Sequence, residues 1–120
     1  MSNDKLRRLV ESLHRQTSAG RLDWKEDQLT FSGNSYHLNL SLNTVRISET
    51  TGNSGRAISI QLIDENGKIV DNFTDEDIDR SDHKYFGIMV EIYEMAARNA
   101  LGADKVIDAI LNELDDDLPF

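Results

Sequence analysis

Apolar positions change their spacing along the chain, and the changes divide it into elements. Over residues 5–18, Leu6, Leu9, Val10 and Leu13 recur at helical spacing on one stripe, with Lys5, Arg8, Ser12 and Arg15 opposite. This predicts an amphipathic first helix, capped by Ser2, Asn3 or Asp4 and stopped at Ala19-Gly20. From Leu22 the period becomes two. Leu22 and Trp24 alternate with Asp23 and Lys25 in a short strand, and Leu29-Thr-Phe31 forms a second apolar patch. Tyr36, Leu38, Leu40 and Leu42 alternate with His37, Asn39 and Ser41, the mark of a half-buried strand. Parity breaks at Val45 and Ile47, which requires either a tight hairpin or a bulge near Asn43-Thr44. Glu49-Thr-Thr-Gly-Asn-Ser-Gly-Arg56 reads as a loop, with Thr50 to Arg56 the most mobile internal segment. Ile58, Ile60 and Leu62 resume the alternation. Asp64-Glu-Asn-Gly67 then predicts a hairpin returning through Ile69 and Phe73, because Asn-Gly accepts the positive φ of such turns.

Helical spacing returns after the acidic stretch Asp71 to His83. A long helix is expected from about Ser81 to Leu101, with Gly102 as its stop. A last helix over about 103–114 carries Val106, Ile107, Ile110, Leu111 and Leu114 on one face. The fold class implied is α+β: an antiparallel meander sheet of four to five strands packed against an N-terminal helix and two C-terminal helices, in two layers. Residues 1–120 form one domain in this reading, with a frayed acidic tail at 115–120. The expected core comprises Leu9, Leu13, Leu38, Leu40, Ile58, Ile60, Ile88, Ile92, Ile107 and Leu111.

The long helix is apolar over two stripes. Tyr85, Ile88, Met89, Ile92 and Ala96 make one, and Phe86, Val90, Tyr93 and Ala97 a second about 100° around it. A helix resting on one sheet needs only one such stripe, so this helix must touch something else as well. The economical cover is the first or last helix of the same chain, with the last helix reversing at Gly102 onto Phe86, Val90, Tyr93 and Ala97. The functional alternative is a homodimer face or a groove for a partner.

Composition narrows the setting. Apolar residues make up 38% and charged residues 29%, the balance of a globular chain. There are no cysteines, which excludes disulfides, thiolate metal sites and cysteine nucleophiles and suits a reducing compartment. No apolar run reaches the length of a signal peptide or membrane span, so a cytoplasmic location is expected, and Asn39-Leu-Ser41 and Asn72-Phe-Thr74 read as chance glycosylation matches. The net charge of −9 is unevenly placed: residues 71–120 carry four Lys/Arg against fourteen Asp/Glu, while residues 1–26 carry six against four. That asymmetry opposes direct nucleic-acid or anionic-membrane binding by the acidic end and suits a basic protein partner. It also favours a monomer or weak homodimer, since two acidic ends repel.

Candidate chemistry is sparse. Asp75, Asp77 and Asp79 match the start of a calcium loop, but Arg80 stands where the sharp turn needs glycine and Phe86 where a bidentate glutamate should close the site. A solvated, helix-capping segment is the simpler reading. His14, His37 and His83 lie far apart, although His83 beside Asp82 has a pH-sensitive composition. Gly52-Asn-Ser-Gly55 could offer backbone N–H groups to an anion, but no lysine or helix start accompanies it. No catalytic residue, cofactor site or metal ligand is assigned. The expected function is a non-enzymatic protein-interaction or regulatory module, with Asp75, Glu76, Asp77, Asp79, Phe86, Val90 and Tyr93 as candidate contacts. The alternatives are a small enzyme or small-molecule-binding domain with a pocket between sheet and long helix, and a purely structural dimerisation domain.

Overall fold

A computed structural model describes residues 3–27, 35–52, 55–78 and 84–116. Helix α1 spans Asn3–Ser18 and is followed by strands β1 (Trp24–Asp27), β2 (Ser35–Asn39), β3 (Thr44–Gly52), β4 (Gly55–Ile63) and β5 (Ile69–Thr74). A single turn, α2 (Asp75–Ile78), leads on to α3 (Lys84–Ala100) and α4 (Ala103–Asp116). The strands form one antiparallel sheet in the order β1-β2-β3-β4-β5, so the meander and the α+β class are as the hydrophobic pattern implies.

Register explains which face is buried. Glu26, Tyr36, Ile47, Ile60 and Phe73 lie in one row across the five strands, and all but Glu26 are buried apolar residues. The adjacent row, Lys25, His37, Arg46, Gln61 and Asn72, is wholly polar and points the other way. On that polar face Arg46 pairs with Asp27 at 2.7 Å and donates to Gln61 at 2.9 Å.

Two turns fix the register. Between β2 and β3 the Leu40 N–H donates to the Asn43 carbonyl at 2.8 Å, which places Ser41 and Leu42 at the tip of a tight hairpin rather than in a bulged strand. Between β4 and β5 the Gly67 N–H donates to the Asp64 carbonyl, and the Asp64 carboxylate accepts from the N–H groups of Asn66 and Lys68. Gly67 alone takes the positive φ there, at 83°; Asn66 does not share it.

The core lies between the sheet and α3. Tyr93 packs on Tyr36 of the sheet, with ring centroids 5.6 Å apart. On its other side α3 meets α1: Tyr85 donates from its hydroxyl to Glu11 at 2.6 Å, His14 contacts Glu91 at 2.6 Å, and Ser18 reaches Met95. These pairs rise together in number, so the two helices run parallel. Trp24 is buried beneath them, its indole N–H donating to Thr17 and its backbone N–H to the Asn99 side chain.

Three expectations change. Leu40 is 48% exposed because the hairpin turns there, and Leu42 beside it is also exposed. Ile107 and Leu111 are exposed on α4, and Leu9 and Ile88 are only partly buried. The stretch from Thr50 to Arg56 is not a loop over its described part: Thr50 pairs with Ala57, Thr51 with Arg56 and Gly52 with Gly55. Cross-strand pairing there overrides a loop-like composition. Of the first and last helices expected to cover α3, the one that packs along it is α1. The Leu29–Phe31 patch, the start of the long helix at 81–83 and the tail beyond 116 lie outside the described residues.

Candidate interaction surface

Gly102 ends α3 and launches α4. It takes φ 71°, its N–H donates to the Asn99 carbonyl, and its own carbonyl accepts from Val106 in the first turn of α4. Asp104 in that first turn lies at the positive end of the helix dipole and pairs with Arg98 at 3.6 Å. The sequence of α4 then places Val106, Ile107, Ile110, Leu111 and Leu114 on one stripe, all of them 43–54% exposed. Among the described residues α4 packs chiefly against the end of α3. The helix projects from the body: the molecule measures 63 × 34 × 29 Å with a Cα radius of gyration of 16.7 Å, against about 13.6 Å for a compact chain of this length.

The remaining exposed large aliphatics share the same end. Leu40 and Leu42 sit at the β2–β3 hairpin, Ile69 and Val70 follow the β4–β5 turn, and Leu101 lies at the end of α3. The pairing of Trp24 with Leu38 and Val45 with Leu62, together with the bond from Trp24 to Asn99, brings these three features to one end of the strands. The polar side of α4 is acidic, with five carboxylates and one lysine in fourteen residues.

The residues expected as partner contacts are dispersed. Asp75 is buried and its carboxylate accepts the Ile58 N–H at 3.0 Å. Asp77 accepts the Thr74 N–H at 2.9 Å, so Thr74 and Asp77 close the N-terminus of α2 in a capping arrangement. Glu76 is half-buried and lies against Gly52. Phe86, Val90 and Tyr93 are partly buried against the core. Asp79 lies outside the described residues, as do Asp82 and His83.

The fold alters the ionisation of Tyr93 and Tyr36. Burial pushes both hydroxyls above the ordinary tyrosine value, helped by Glu26 beside Tyr36 and by Tyr36 and Glu49 near Tyr93, with Arg56 opposing at Tyr93. A cleft of about 670 Å³ along the β3–β4 hairpin is lined by Glu49, Thr50, Thr51, Gly55 and Arg56. Its carboxylate and guanidinium pair with each other. Between the sheet and α3 the space is taken by Ile47, Ile58, Ile60, Met89 and Ile92, all wholly buried. No group of three or more His, Asp or Glu side chains among the described residues could hold a metal ion.

The α4 stripe was read as core from the sequence. The signal that it is not core lies in the helix count: α1 also carries an apolar stripe and packs along α3 through Glu11 to Tyr85, His14 to Glu91 and Ser18 to Met95, which leaves the stripe of α4 over. No family model, curated protein or solved structure matches the chain.

Proposed function

We propose that the chain is a non-enzymatic protein-interaction or regulatory module, and that α4 is the element it offers to a basic protein partner. The observation that carries this reading is the uncovered apolar stripe of α4 on a helix that projects from the body. Five half-exposed aliphatic side chains present on the order of 400 Å² of apolar surface, comparable to the largest patch of an ordinary monomer. Covering it is worth about 10 kcal/mol before the costs of association are taken off. Those costs are of similar size, so the expected complex is weak and reversible. The acidic side of α4 suits basic flanks on the partner.

A cytoplasmic setting and a monomeric or weakly dimeric free state belong to the same proposal. The lack of cysteine and the charge of residues 71–120 support it. No helix among the described residues is long and apolar enough to cross a membrane.

The test is affinity capture from the native cell with the full chain and with an Ile107→Gln/Leu111→Gln variant. Both positions are exposed, so the variant keeps its fold, which circular dichroism verifies. Partners retained by the wild type and lost by the variant support the reading. Identical partners on both overturn it.

A further inference from the structure

We infer that the occupant of the α4 face is an amphipathic helix with Lys/Arg flanks, supplied by a different protein rather than by a second copy of this chain. This rests on the interaction function proposed above and specifies the partner's chemistry.

The stripe dictates a helix. Val106, Ile107, Ile110, Leu111 and Leu114 follow i, i+1, i+4, i+5, i+8 spacing, so the rows between them receive the side chains of a second helix packed at a shallow angle. The fourteen residues of α4 extend about 21 Å, which fits a partner of about four turns.

Charge dictates the flanks. Asp104, Asp108, Glu113, Asp115 and Asp116 stand against Lys105 alone on this helix. A partner with acidic flanks meets like charge along its whole length, and one with basic flanks meets complementary charge. The same charges oppose an anionic lipid surface.

Size and inventory exclude a second copy. Two α4 stripes pressed together bury about 800 Å² in total, the scale of a lattice contact and below that of a stable dimer, while facing acidic flanks to acidic flanks. Among the described helices the basic one is α1, with Lys5, Arg7, Arg8 and Arg15. Its apolar residues Val10 and Leu13 are buried in the core and unavailable to α4 of another molecule. Among its described residues the chain therefore has no helix that complements α4.

The experiment titrates the full-length protein with two fluorescent helical peptides of about four turns, one of Leu and Lys and one of Leu and Glu in the same amphipathic pattern. Parallel titrations use the Ile107→Gln/Leu111→Gln variant, phosphatidylcholine vesicles and sedimentation of the free protein. The expected result is binding of the Leu/Lys peptide at least tenfold tighter than the Leu/Glu peptide. It should weaken severalfold between low and high salt and fall at least tenfold in the Gln variant, whose net charge is unchanged.

Equal binding of both peptides, or binding of neither, overturns the inference. So does Leu/Lys binding that survives in the Gln variant, which marks attraction to the acidic surface without docking on the stripe. Avid vesicle binding overturns it in favour of a lipid surface. A tight dimer that protects α4 from exchange overturns the foreign helix while leaving the interaction function standing. That function itself fails only on the capture experiment, so the two failures are distinguishable.

Discussion

The backbone N–H of Ile58 emerges from β4 at the level where β5 has ended, since the last pair of that ladder is Ser59 with Thr74. Asp75 follows Thr74 directly and supplies the missing acceptor from a side chain that is only 6% exposed. Asp75→Ala leaves a buried donor without a partner and is expected to destabilise the protein by about 1–3 kcal/mol, measured as a shift of the urea midpoint. Asp75→Asn keeps an acceptor oxygen and should cost less. An unchanged midpoint for the alanine variant would contradict the capping role. The aspartates of this segment read as helix-capping in the sequence, whereas the role of Asp75 toward Ile58 did not show, because it depends on where one strand stops against its neighbour. Tyr36 and Tyr93 give a second expectation at this scale. Both hydroxyls titrate above their ordinary value of 10.0, so the folded chain holds protons that the unfolded chain has already released. Their contribution to stability is therefore complete below pH 10 and is lost as pH rises through the raised folded values. Denaturation midpoints followed from pH 9 to 11.5 (roughly the window around the tyrosine pKa) should decline, and Tyr36→Phe/Tyr93→Phe should flatten part of that decline. An identical slope in the double variant would show that other groups cause it.

Elements were legible wherever periodicity ran through their whole length. Helices α1, α3 and α4 fall close to their expected bounds, and Asp64–Gly67 turns as its composition implies. The misreadings have a common physical cause: a pattern states which face of an element is apolar, not what covers it. Leu40 and Leu42 keep the parity of β2 but lie in the turn that follows it. Thr50–Gly52 has loop composition yet is held in β3 by the ladder to β4. Helix α3 asked for two covers and received the sheet and α1, so α4 was left without one. Truncation separates these cases. Ile92→Ala, in a wholly buried site, should cost about 2–5 kcal/mol. Ile107→Ala and Leu111→Ala should stay within about 0.5 kcal/mol of wild type in the free protein, because their side chains stand in water. Thermal and urea denaturation of the three variants checks the contrast. A cost at Ile107 approaching that at Ile92 would mean that α4 packs on its own chain after all.

At the scale of the molecule, shape follows from the position of α4. Folding α4 back at Gly102 would hide its stripe only if α3 had an apolar surface to receive it. Little of that surface is left: Tyr93 is on Tyr36, Tyr85 is against α1, Met89, Ile92 and Ala96 have no exposed area, and Phe86, Val90 and Ala97 are already partly buried against the core. The ion pair of Arg98 with Asp104 is exposed, so it adds little that would fix the joint in either arrangement. The extended arrangement is therefore expected in dilute solution, with α4 held by the turn at Gly102 and by its own hydrogen bonds. Small-angle scattering should give a radius of gyration near 16.7 Å rather than the ~13.6 Å of a compact chain, at both low and high salt. The charge of residues 71–120 predicts that any rise with protein concentration appears at high salt first, where repulsion between acidic ends is screened. A compact value at low concentration would place α4 against its own body and remove the surface on which the proposed function rests. An extended value, with the Gln substitutions at Ile107 and Leu111 leaving it unchanged, would locate that surface on a helix that its own fold does not need.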